Sequence, residues 1–140
     1  MEELQSIVEN GKFNVNLVDD EDTSKRTALH LAARNGHLEV VKYLLEKGGA
    51  EVNVKKNDGR TALHEAAENG KLEVVKYLLE KGGAEVNVQN NYGWTALHLA
   101  AENGKLELVN YFSEKGGAEV NVKKNDGWIR KFIWKVKLNL

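Results

Sequence analysis

Three histidines, His30, His64 and His98, stand 34 residues apart, and each closes the tetrapeptide Thr-Ala-Leu-His. Imidazole is a frequent metal ligand and the side chain that carries protons near neutral pH, so a metal centre or a general base is the first chemistry to weigh. The spacing opposes both. Packed helices hold their axes ~8–10 Å apart, whereas zinc ligands must converge to ~2 Å from one ion. The carboxylates repeat in the same way, as Glu39, Glu73 and Glu107 and as Glu46, Glu80 and Glu114. Acid–base work needs carboxyl groups in contrasting environments, and these recur among polar neighbours. Ser6, Ser24 and Ser113 lie in no nucleophile motif. The Lys-Gly-Gly triplets lack the spacing of a phosphate loop, and there is no cysteine. No catalytic, cofactor-binding or metal-ligating residue is assigned, and the protein reads as non-enzymatic.

The elements that carry these residues are themselves repeated. The text from Thr27 to Val54 returns from Thr61 and again from Thr95, and Leu38–Val54 is identical to Leu72–Val88 over seventeen residues. In the second copy Thr61 is placed to cap a helix. Ala62, Leu63, Ala66 and Ala67 form a small-residue face, and Glu-Asn-Gly at 68–70 ends the helix, with Gly70 suited to a left-handed cap. A second helix carries Leu72, Val74, Val75, Leu78 and Leu79 on one stripe, with Glu73, Lys76, Glu80 and Lys81 opposite. Gly82-Gly83 stops it, and an extended excursion with a turn at 91–93 follows. Helices under ~12–15 residues are marginal alone, so stacked copies must bury one another's stripes, as in a solenoid.

The stretch DGRTALHEAAENGKLEVVKYLLEKGGAEVN, residues 58–87, resembles an ankyrin repeat, and the likeness covers residues 27–128 almost continuously. Two departures mark it. Ala28, Ala62 and Ala96 stand where the family usually has proline, and an extra glycine in Lys-Gly-Gly makes the period 34 instead of 33. The resemblance implies a mainly α fold, an ankyrin-repeat solenoid of stacked helix-turn-helix units joined by β-hairpin-like finger loops. It implies structural hydrogen bonds for Thr27, His30, Thr61, His64, Thr95 and His98, and protein recognition through the finger tips and the adjoining first helices. Asn53, Asn87 and Asn121 match a loop asparagine that some ankyrin repeats have hydroxylated, and its ordinary role is bonding within the turn.

The copies differ where that recognition surface falls. The finger Lys55-Lys56-Asn57-Asp58-Gly59-Arg60 becomes Gln89-Asn90-Asn91-Tyr92-Gly93-Trp94 and then Lys123-Lys124-Asn125-Asp126-Gly127-Trp128. In the first helix Leu31, Glu65 and Leu99 differ, as do Arg34, Glu68 and Glu102. Tyr, Trp and Arg are enriched at binding hot spots. Arg26, Arg34, Lys55, Lys56, Asp58, Arg60, Tyr92, Trp94, Asp126 and Trp128 are therefore the candidate partner-binding residues. The competing reading makes the Arg26, Arg60, Trp94 and Trp128 ladder packing between fingers. Arg34, Lys55, Lys56 and Arg60 point to an acidic contact on the first repeat.

The ends leave the pattern. Residues 1–26 match half a repeat, with Leu4, Ile7 and Val8 facing inward and an acidic loop behind, at a net charge of −4. Residues 129–140 carry +4 and read either as a helix, with Ile129, Phe132, Ile133, Val136 and Leu140 on one face, or as a strand. A capping helix is expected, because the last stripe needs cover. The expected division is 1–26, 27–60, 61–94, 95–128 and 129–140 within one domain. The expected partner is another protein, with no small-molecule substrate, nucleic acid or membrane, and the chain is expected to be a monomer. An acidic start and a basic end also permit head-to-tail association. Near-identical copies equally suit a designed or duplicated scaffold, or a fragment of a longer array. The acidic first residues are no signal peptide, there is no run of 18 apolar residues, and an intracellular, cytoplasmic location is expected. Phe112-Ser113 replaces Leu-Leu of the earlier copies, which should weaken the third.

Overall fold

The computed structural model describes Asn16 and residues 26–118. The expected N-terminal half repeat, the basic tail, Asn121, Asp126 and Trp128 lie outside the described residues. Among the described residues there are six helices and no strand: α1 (Ala28–Arg34), α2 (Leu38–Glu46), α3 (Ala62–Glu68), α4 (Leu72–Glu80), α5 (Ala96–Glu102) and α6 (Leu106–Glu114). They form three antiparallel pairs of one short and one longer helix. First helices stack on first helices, α3 between α1 and α5, and α4 lies against α2.

Local chemistry dictates where each helix begins and ends. Thr27, Thr61 and Thr95 sit in extended backbone as N-caps of α1, α3 and α5, each closing a capping box with the histidine three residues on. The first helices end where Gly36, Gly70 and Gly104 take φ near +70°, a region that costs a residue with Cβ ~1–2 kcal/mol. A Cβ on Gly36 would also lie 2.8 Å from Cδ of Lys71, whose stem crosses from the next copy, and a Cβ on Gly70 would lie 3.1 Å from Cδ of Lys105. Those lysines are half-buried, on a turn that hydropathy assigns to solvent.

The core is one continuous stack. Alanines 32, 33, 66, 67, 100 and 101 are buried between neighbouring first helices, where small side chains let the backbones approach. Leu44, Leu78 and Phe112 are fully buried at equivalent positions of the second helices, each contributing roughly 1.5–3 kcal/mol. The buried stripe of α4 is Val74, Val75, Tyr77 and Leu78, while Leu72 and Leu79 are half-buried. Tyr77 joins the buried stripe in place of Leu79, and its hydroxyl reaches the Glu46 carboxylate of the preceding copy.

Candidate functional site

The three histidines are committed to the frame. In the first and second copies the backbone N–H groups of Thr27 and Thr61 donate to Nδ1 of His30 and His64 at 3.1 Å, and Thr95 does so to His98 at 2.9 Å. With Nδ1 an acceptor, the neutral ring carries its proton on Nε2. Nε2 then donates forward, from His30 to the carbonyl of Arg60 at 3.1 Å and from His64 to that of Trp94 at 3.0 Å. Nε2 of His98 finds no acceptor among the described residues. Burial lowers the pKa of all three rings, and the accepted carbonyl bonds of His30 and His64 only partly oppose it. Among the described residues no three His, Cys, Asp or Glu side chains gather as a metal site.

Further side chains tie copy to copy. Oδ1 of Asn53 accepts the backbone N–H of Glu85 at 2.9 Å and its amide donates to the carbonyl of Gly83 at 3.4 Å. Asn16 makes the same pair with Glu51 and Gly49. The loop asparagine therefore bonds across to the next copy, not within its own turn. On the other face Tyr77 donates to Glu46 at 2.7 Å and Tyr111 to Glu80 at 3.0 Å. Burial, and then the carboxylate partner, push both phenols up to about 12.

The fingers are hairpin turns. Lys56 N–H donates to the carbonyl of Arg60, and Asn90 N–H to that of Trp94. Gly59 and Gly93 take positive φ at the turns. One finger holds the next: Asn91 N–H donates to Asp58 O at 2.9 Å, and the Asn91 amide donates to Asn57 O at 3.0 Å. Side-chain oxygens brace the bends. Asp58 Oδ1 accepts from Arg60 N–H, and buried Asn90 accepts from the N–H groups of both Tyr92 and Trp94.

The structure distributes the candidate residues unevenly. Lys56 is turned inward, with Nζ 3.2 Å from Glu65 and 3.3 Å from Asp58. Arg60 pairs with Glu68 through Nη1 and with Asp58 through Nε at 3.5 Å. Glu65 itself is buried, where the flanking copies have Leu31 and Leu99. Arg26 is half-buried beside Thr27, while Arg34 and Lys55 are exposed. Tyr92 is 68% exposed. Trp94 is half-buried and meets the His98 ring edge-on, with centroids 6.0 Å apart. Arg60, Asn90, Tyr92, Trp94, Leu99 and Glu102 line an open cleft of about 390 Å³ between finger and first helix. Asn90, Leu99 and Glu102 thus join a surface whose candidate residues were Arg, Lys, Asp, Tyr and Trp. The signal for them was present, since all three stand at positions where the copies differ.

Known proteins carry the same repeat. A family model described as ankyrin repeats, in three copies, matches residues 2–90 and 48–124. Alpha-latrocrustotoxin-Lt1a of Latrodectus tredecimguttatus is 46% identical over 55 residues, 39% of this chain and 4% of the toxin. Alpha-latrotoxin-Lt1a of the same spider is 38% identical over 47 residues, 34% of this chain and 3% of the toxin. The chain thus spans only a few hundredths of the length of either relative. With capping boxes, stacked helix pairs, hairpin fingers and a family match over most of its length, the chain belongs to the ankyrin repeat family.

Proposed function

We propose that this chain is a non-enzymatic binding module that takes another protein on the surface formed by its fingers and first helices. Ankyrin repeats are generally protein–protein interaction modules. The observation that carries the reading here is the cleft between the second finger and α5, lined by Tyr92, Trp94 and Leu99. A tyrosine left 68% exposed beside a half-buried tryptophan is the composition of a binding hot spot. Tyr92 stands where the other copies have Asp58 and Asp126, and Trp94 stands where the first copy has Arg60 and the third Trp128, so the framework accepts other residues at both positions. Of the ten candidate residues, Tyr92, Trp94, Arg34 and Lys55 are the ones this reading weights. Lys56, Asp58 and Arg60 support the finger that presents the surface. The likeness to the two toxins covers repeat text alone, and no toxin activity is carried over from it.

The test is affinity capture from cell extract with the parent and with a Tyr92→Ala, Trp94→Ala variant, identified by mass spectrometry after circular dichroism has matched the two folds. A protein retained by the parent and reduced at least about tenfold by the variant, the loss of one or two hot-spot side chains, is the expected result. Equal retention by both would remove the surface from the reading.

A further inference from the structure

Among the described residues, the charged groups around the cleft leave a negative balance. Lys56 lies against Glu65 and Asp58, and Arg60 against Glu68 and Asp58. Those two cations face three carboxylates, so the cluster keeps one negative charge after pairing. Among the residues lining the cleft the charged ones are Arg60, already engaged, and Glu102, which makes no ion pair among the described residues. Glu102 is exposed at the last turn of α5. Tyr92, Trp94 and Leu99 line the same cleft.

We propose that this cleft takes a cationic side chain, an arginine of a basic segment in the partner protein, stacked on the Tyr92 and Trp94 rings with its charge facing Glu102. The inference rests on the binding-module reading above and names the chemistry of its partner. A planar guanidinium stacks on aromatic faces, which attract it through the ring quadrupole. A volume of about 390 Å³ falls in the ordinary range of ~300–1,000 Å³ for sites that enclose a bound group. An acidic partner is disfavoured by the same account. To reach Arg60 it would have to displace Glu68 and Asp58, and to reach Lys56 it would have to displace a carboxylate that is itself buried. A cation entering beside Glu102 displaces no ion pair of that carboxylate among the described residues. Lys56 and Arg60 of the first finger, which on composition alone invite an acidic contact, are paired with carboxylates of this chain, while Lys55 stays exposed.

Selection of random twelve-residue peptides displayed on phage against the full chain tests this directly. The selected peptides should share an arginine. Labelled peptides, titrated by fluorescence anisotropy, should lose about tenfold in affinity when that arginine becomes glutamine, the scale of a desolvated cation–π contact. Glu102→Gln and Trp94→Phe should each cost a similar factor. Loss of the arginine and Glu102→Gln together should cost less than the product of their separate factors. Glu102 is exposed, so its glutamine variant keeps the fold, and thermal unfolding checks that it does. Acidic or neutral peptides that bind in a Trp94-dependent way would overturn the inference and leave the binding module standing, as would arginine peptides indifferent to Glu102→Gln. If the parent selects no peptide at all, both fall together.

Discussion

At the scale of the residue, the buried histidines make the protein sensitive to acid. His64 has Nδ1 facing a backbone N–H that can only donate, so a second proton on the ring would set donor against donor. Burial keeps its pKa below 6.5 in the folded chain, whereas the unfolded chain titrates near ~6.5. The unfolded state therefore binds more protons below that point, and stability falls as the pH drops through ~6.5 toward the folded value. The urea midpoint should decrease between pH 7.5 and pH 5, and the decrease should be smaller in His64→Gln. An unchanged slope in that variant would show that the histidine is not the group responsible. These roles were legible from the Thr-Ala-Leu-His motif and its repetition. The pairing of Lys56 with Glu65 was not. Hydropathy places both charges in solvent, and only the fold brings residue 56 of the finger over residue 65 of the helix.

At the scale of the element, the helix boundaries were legible from single residues and the packing was not. Thr61 and Gly70 mark the two ends of α3 by their own chemistry, but nothing in the local text announces that the Lys71 stem crosses back over Gly36. That crossing predicts a difference between two chemically identical substitutions. Gly104→Ala meets nothing within 4 Å among the described residues and there bears only the strain of φ +68°, roughly 1–2 kcal/mol. Gly36→Ala bears the same strain and must also push aside a methylene at 2.8 Å. Denaturant melts of the two variants should find Gly36→Ala the less stable, and equal losses would mean that the lysine stem moves aside freely. The Leu-to-Ser change at 113 is a milder defect than its polarity implies. The equivalent leucines, 45 and 79, are only half-buried, and the Ser113 hydroxyl donates to the carbonyl of Val109 at 2.9 Å.

At the scale of the whole molecule, stability runs along a line, because each copy is held by its neighbours. The Leu45 side chain packs toward Gly82 of the following copy, where a Cβ would meet its Cδ1 at 3.3 Å. Ser113 lacks the branched methyl groups that Leu45 and Leu79 carry at the equivalent positions. Native-state hydrogen exchange should therefore find the amides of α6 less protected than those of α4, and Ser113→Leu should narrow the gap. Uniform protection across the three copies would rule this out. The repeat order itself was legible throughout, since a 34-residue period is written in the text. The resemblance already implied a finger and first-helix face, and the cleft lined by residues between Arg60 and Glu102 narrows the proposed surface within it.

The forward bonds of the frame have one more property. His30 and His64 seek a carbonyl, and Asn53 seeks an N–H and a carbonyl. Main-chain atoms answer in every case, and every residue type has the carbonyl that such a bond requires. Arg60 and Trp94, as unlike as two side chains can be, serve the two histidines equally. Neighbours are thus recognised without regard to their spelling. A gene built this way can gain or lose a whole unit by misaligned recombination and still encode a protein whose joints all close, while the finger tips remain free to diverge.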